Sequence, residues 1–240
     1  MTVHVTWHGP VLELALDRPQ RRNAVDHETL VALADAQAQA ATARAVVLTG
    51  RNGVFCAGAD LTGVEGDEFG AALVRVLRGL GQLPVATIAA VDGPALGAGT
   101  QLALACDLRV ATPTSRFGVP AAKLGLMVDS WTVQRLSALA GGSVARSVLL
   151  AAEEIDCARA YALGLVHRIG DLGDALAWAA AFAELAPLSI AGHKLSLERS
   201  TPVVPDADVQ AMFARVWASD DAHEGRRAFL DKRPPRFTGR

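Results

Sequence analysis

Residues 84–111 read PVATIAAVDGPALGAGTQLALACDLRVA. The first eight, PVATIAAV, are an apolar run of strand length in which Val85, Thr87, Ile88 and Val91 branch at Cβ, which predicts a buried strand. Asp92-Gly93-Pro94 breaks it. Leu96-Gly97-Ala98-Gly99 then opens an apolar helix to about Cys106, and DLRVA, residues 107–111, is a further strand. Strand, tight glycine turn, helix and strand in succession predict an α/β layer arrangement.

The pattern extends in both directions. Residues 3–7 and 11–16 alternate around Gly9-Pro10 and predict a β-hairpin. LDRPQRRNAVD, residues 16–26, leads into a helix over 27–40 with Asp26 as its N-cap. AVVLT, residues 45–49, is a short buried strand. The stretch RNGVFCAGADLTGVEG, residues 51–66, is Gly-rich and aperiodic and reads as a loop. Phe69, Leu73, Leu77 and Leu80 share one face of a helix over 69–80. Beyond Thr112 the chain reads as mostly helical, over 130–139, 143–151, 157–163, 173–186, 188–200, 206–218 and 220–230, with one short strand over 165–169. Only helices remain past Pro187, which divides the chain into a core domain, 1–186, and a C-terminal helical region, 187–240.

Composition excludes several function classes. A chain of 240 residues and 25.0 kDa buries about 70% of its unfolded surface, enough for a core without disulfides. Hydrophobic residues at 51% against 20% charged exclude a disordered chain. A net charge of −2, with no Lys/Arg run interleaved with aromatics, offers no footprint for nucleic acid. Cys56, Cys106 and Cys157 are widely spaced, which argues against zinc or disulfides and fits a reducing compartment. The N-terminus has no basic segment before an apolar one, and no run of about 18 apolar residues exists. The expectation is a cytoplasmic protein without a membrane span.

Most chemical motifs are missing. No glycine run ends in Gly-Lys-Ser/Thr, the dinucleotide fingerprint fails at Leu102, and there is no GxSxG or HExxH. What remains is a pair of main-chain donor sites, Cys56-Ala57-Gly58-Ala59-Asp60 and the helix start at Gly97-Ala98-Gly99. Small residues admit a ligand to the backbone, and a helix start offers unpaired N–H groups. Two such donors converging on one carbonyl oxygen would make an oxyanion hole; the plain alternative is a pair of tight turns.

FCAGADL, then residues 84–111, then FGVPAAKLGLMVD and SWTVQRL, resemble the enoyl-CoA hydratase/isomerase (crotonase) superfamily. The likeness runs from LDRPQRRNAVD to KRPPRFTG near the C-terminus. It implies an α/β, crotonase-like core of spiralling ββα units with a C-terminal helical trimerisation region. It also implies homotrimers or dimers of trimers, and acyl-CoA as ligand or substrate with no separate cofactor or metal. The thioester-binding N–H groups it implies fall on Ala59 and Ala98, and Ala98 stands where the family usually has glycine. The implied coenzyme A contacts are Arg21, Arg22, Ala57, Gly58 and Asp60, with Lys232 and Arg233 reaching a neighbouring subunit's coenzyme A. Leu73, Leu77, Leu126, Met127 and Trp131 are the candidates for an acyl pocket, as against plain core.

The two glutamates of the family's hydratases are replaced here by Gln101 and Ala121. Neither residue exchanges a proton near neutral pH, and losing a general acid or base costs about 10² to 10⁴ in rate. The implied function is therefore acyl-CoA binding in fatty-acid or lipid metabolism without hydration, with enzymes of that metabolism as partners. Asp129, in GLMVDSWTVQRL, matches an acidic position of the family's dienoyl-CoA isomerases. It is the candidate acid/base of an alternative in which the chain is an active hydratase- or isomerase-type enzyme. Its simpler role is a cap for the helix from Ser130.

Overall fold

A computed structural model describes residues 2–62, 67–200 and 206–239. The hairpin forms as β1 (Val3–His8) and β2 (Val11–Leu16), antiparallel from Val3↔Leu16 to His8↔Val11. α1 (His27–Ala38) follows, and its N-cap Asp26 accepts from the Thr29 N–H as expected. It ends two residues short of the expected helix because residues 39–42 tighten into a 3-10 turn. Next come β3 (Ala45–Gly50), α2 (Asp67–Gln82), β4 (Ala86–Val91), β5 (Pro94–Leu96), α3 (Ala98–Ala105) and β6 (Leu108–Ala111). Residues 63–66 of the expected loop lie outside the described residues. β7 (Arg116–Gly118), α4 (Ser130–Ala140), α5 (Gly142–Leu150), β8 (Glu154–Asp156), α6 (Cys157–Ala162) and β9 (Arg168–Ile169) continue the chain. α7 (Leu172–Ala183), α8 (Pro187–Ser200), α9 (Ala207–Trp217) and α10 (Asp220–Leu230) complete it.

The main sheet has the order β1-β2-β3-β4-β6-β9, and every pair after β1·β2 is parallel. Parallel strands need crossovers, which the intervening helices supply. Three strands escape the sequence pattern: β5, β7 and β8 have three residues each, too few to display a period of two. The strand expected over 165–169 shrinks to β9, because Val166 N–H donates to Ala160 O and Leu165 O accepts from the Arg109 side chain.

The chain forms two compact units, Met1–Phe117 with Asp156–Pro202, and Gly118–Ile155 with Val203–Arg240. In the first, Ala175 and Ala179 of α7 lie on Val11, Ala45, Val47, Ile88, Ala90 and Val110, so one sheet face meets a helix through small residues. The intervening residues, among them Leu12, Leu14, Val46 and Leu48, point to the opposite face and are fully buried. α1 packs there on β1 and β2, and α3 on β4. Two buried cations tie the elements together. Arg109 is fully buried and donates to Leu165 O, Ala103 O, Cys106 O and Asp107 O, closing the carbonyl end of α3. Lys194 of α8, 5% exposed, donates to Leu80 O, Val85 O and Asp107 Oδ2.

His167 sets a pH response in this unit. Its Nδ1 accepts the Arg109 N–H at 3.2 Å, so the ring is held neutral on that side. Burial of that side and then the Arg109 charge pull its pKa down to about 4 from 6.5. The unfolded chain therefore binds the extra proton first, and stability is expected to fall as pH drops from 6.5 towards 4. Melting temperatures across that window should fall less steeply in His167→Gln than in the wild type.

In the second unit α4 packs on α5, and α10 packs on the 3-10 turn Pro120–Leu124. Glu224 accepts both Arg233 Nη atoms, at 2.6 and 2.9 Å, and the Arg236 N–H at 2.9 Å. These bonds hold its carboxyl down at about 2. Lys232, at φ +54, turns the tail back onto α10, where Glu224 takes the Arg233 guanidinium.

Candidate functional site

The two donor loops lie side by side in the first unit. Cys56 and Ala95 form a parallel bridge, with Cys56 N–H donating to Pro94 O and Leu96 N–H to Cys56 O. Val25 and Ala59 form another, made by Val25 N–H to Gly58 O at 2.9 Å and Asp60 N–H to Val25 O at 2.8 Å. In that bridge the neighbours of Ala59 make the bonds, so the Ala59 N–H faces away from Val25. Ala98 is the first residue of α3, where an N–H has no intrahelical acceptor. Among the described residues neither N–H donates to a protein acceptor.

Glycines hold the loops this close. Gly97 caps α3 at φ +53, a conformation that L side chains rarely adopt. A methyl group on it would lie 3.8 Å from Gly58 Cα. One on Gly99 would lie 2.2 Å from Cys56 O.

The first loop is braced from behind by LDRPQRRNAVD. Arg18 reaches Asp26 at 2.7 Å and Asp60 at 3.1 Å, and also donates to Ala24 O. Asp60 Oδ1 accepts from Thr62 N–H and Oγ1. Asn23, 1% exposed, accepts the Arg18 N–H and donates to Arg51 O and Val54 O. Ala57 N–H donates to Arg22 O. Burial pushes the Cys56 thiol up to about 12, so it is protonated near neutral pH and is no nucleophile.

Known proteins resemble this chain along nearly its whole length. The family model described as enoyl-CoA hydratase/isomerase matches residues 7–240. The chain belongs to the enoyl-CoA hydratase/isomerase family. It is 40% identical to the probable enoyl-CoA hydratase echA6 of Mycobacterium tuberculosis, over 99% of both chains. It is 37% identical to the 2,3-dehydroadipyl-CoA hydratase of Escherichia coli, over 96% of both. Methylmalonyl-CoA decarboxylase complexed with 2S-carboxypropyl CoA has the same fold at a TM-score of 0.92 and 25% identity, covering 100% of this chain and 99% of that one.

Within this enoyl-CoA hydratase/isomerase fold, Gln101 lies one turn into α3, buried, and its N–H donates to Gly97 O. Leu77 is buried and Leu73 half-buried on α2. Arg21 and Arg22 are exposed, and Arg21 Nε lies 3.8 Å from Asp60 Oδ2. Ala121, Leu126, Met127, Asp129 and Trp131 belong to the second unit, each half-buried. Asp129 is the N-cap of α4: its Oδ1 accepts from Thr132 N–H and Thr132 Oγ1. The residues that the sequence pattern left unassigned are Arg18 and Asn23. A buried Asn and a Pro-flanked Arg are readable as loop anchors only once the loops they hold are known.

Proposed function

We propose that this protein binds an acyl-CoA thioester through main-chain donors and does not hydrate it. The observation that carries the reading is the pair of Ala59 and Ala98 N–H groups, presented by touching loops with no protein acceptor among the described residues. Aimed at a thioester carbonyl, such donors stabilise negative charge on its oxygen as an oxyanion hole does. The dipole of α3 adds in the same direction, and the Arg109 side chain lies at its opposite, carbonyl end. Polarising the carbonyl makes the acyl chain electrophilic, but water addition also needs a base for water and an acid for the α-carbon. Gln101 and Ala121 supply neither.

Names of related proteins support a coenzyme A thioester as the ligand class: two are hydratases of such esters, and one is a decarboxylase with a coenzyme A derivative bound. A role in fatty-acid metabolism as an acyl carrier or accessory factor follows. Self-association as a trimer or dimer of trimers belongs to the same proposal. Leu188, 86% exposed, and Leu195, 52% exposed, lie two turns apart on one face of α8 and supply apolar surface for it.

An acid/base role for Asp129 is the rival reading. Both Thr132 bonds fall on its Oδ1, which favours the cap. Crotonyl-CoA incubated with the wild type and with Gln101→Glu/Ala121→Glu tests the proposal. Titratable binding with hydration no faster than background is the expected wild-type result. Rapid wild-type hydration that Asp129→Asn abolishes would establish the rival.

A further inference from the structure

The main sheet has two edges, and they differ. β9 ends it on one side with two residues, whereas β1 ends it on the other with six. Thr2 O accepts the Asp17 N–H, which fixes the phase of the β1–β2 ladder. Residues of such a ladder exchange bonds alternately, so Thr2, His4, Thr6 and His8 face β2 through their main chain. Val3, Val5 and Trp7 turn their N–H and C=O groups to the open side. Among the described residues none of those groups has a protein partner beyond β1. Their side chains lie in register with Leu16, Leu14 and Leu12, on the α1 face of the sheet. Val3 is buried there, Val5 half-buried and Trp7 44% exposed.

Open edges are commonly blunted by charges, prolines or bulges. β1 carries none of these. Residues 2–8, TVHVTWH, hold no Asp, Glu, Lys, Arg or Pro, and the pairing runs unbroken from Val3↔Leu16 to His8↔Val11. Its two titratable side chains are answered from the β2 side, His4 by Asp17 at 2.9 Å and His8 by Glu13 at 2.6 Å. The edge therefore suits a strand without charge, which is what β1 itself is. A two-fold axis at Val5 lays one β1 antiparallel on another. Val5 then faces Val5 of the second copy and Val3 faces its Trp7, each pair exchanging both main-chain bonds. On the other sheet face His4 meets Thr6, so no histidine stands opposite a histidine. An axis at Thr6 would set His4 against His8 and leave Val3 facing the turn at Gly9.

We propose that β1 is a two-fold contact between copies of this chain, through which their sheets become continuous. Main-chain bonds give such strand addition its strength, and the facing side chains give it its register. The contact is isologous, so it closes on a pair and does not propagate. Two trimers of the kind proposed above, joined through β1, make the dimer of trimers. The contact itself does not depend on acyl binding.

Val5→Pro removes an outward N–H and costs the hairpin no bond, since proline is accepted on an edge whose N–H faces solvent. Sedimentation velocity should give the wild type twice the mass of Val5→Pro, six chains against three or two against one, with the far-ultraviolet circular dichroism unchanged. Val5→Cys reads the same contact without breaking it. Facing Cα atoms lie about 5.5 Å apart, inside the bridgeable range of about 4.4–6.8 Å, so diamide should link the copies into covalent dimers. Val3→Cys is the control, because its two copies would stand roughly 14 Å apart. The chain's own Cys56, Cys106 and Cys157 are buried and stay out of the reaction. Should Val5→Pro lose its fold, the cysteine pair alone decides. Equal masses for wild type and Val5→Pro, which would leave the edge to another strand or to none, overturn the contact. So does Val5→Cys that links no faster than Val3→Cys. A wild type of two chains keeps the contact and removes the trimer; three chains in both proteins does the reverse.

Discussion

Replacing Gly99 by alanine is expected to separate the two donor loops and destabilise the chain. The new methyl group would lie 2.2 Å from Cys56 O and 2.9 Å from Cys56 Cβ. The carbonyl is held by the Leu96 N–H, and the Cys56 N–H is held by Pro94 O, so the loop has no free direction in which to retreat. Overpacking of this kind typically costs about 1–3 kcal/mol, and a contact with fixed backbone belongs at the upper end. For a chain of this length that is a fall in melting temperature of roughly 6–12 °C. Acyl-CoA affinity should fall at least about tenfold, because a carbonyl bridging Ala59 and Ala98 loses one of its donors. Gly70→Ala is the control. It lies on the exposed face of α2, with nothing within 4 Å of an added methyl group. It should stabilise the helix by up to about 1 kcal/mol and leave binding unchanged.

Lys194→Met is expected to be nearly as damaging for a different reason. Lys194 carries three bonds from α8, to Leu80 O near the end of α2, to Val85 O before β4, and to Asp107 at the start of β6. Asp107 Oδ2 also accepts from Thr87 N–H and Oγ1. Methionine fills most of the volume but leaves a half-covered carboxylate and two carbonyls without their cation. Breaking a buried pair from one side costs about 3–5 kcal/mol, and the partial exposure of Asp107 places this case near 3. Adding Asp107→Asn should recover part of the loss, because the amide oxygen still accepts from Thr87 and the uncompensated charge is gone. Denaturant unfolding of both single variants and the double isolates that coupling. Its size should be nearly independent of salt, unlike a surface pair.

Strands β2, β3 and β4 and the helix α3 were legible because they are mainly apolar runs with Gly or Pro beside them, and local pattern suffices for such elements. Cap residues were legible too: Asp26 and Asp129 each precede a Thr three positions on, and each accepts from that Thr. What escaped was set by partners far along the chain. β5 exists because it pairs with β7, and Cys56, 39 positions earlier, bridges its Ala95. The pairing of Arg233 with Glu224, nine positions earlier, depends on the turn at Lys232, which no local pattern announces. The donor pair itself was legible as two Gly-rich stretches. Their juxtaposition was not, since it depends on Gly99 meeting Cys56 O and on Arg18 and Asn23 holding the other loop from behind.

Isotope-edited infrared spectroscopy of crotonyl-CoA labelled with ¹³C at the thioester carbonyl tests the account at its centre. Bound to the wild-type protein, the carbonyl band should move to lower frequency than in water and keep its enoyl character for as long as the sample is followed. A band at the frequency of free crotonyl-CoA, or its replacement by that of the 3-hydroxyacyl product, would contradict a main-chain grip without hydration.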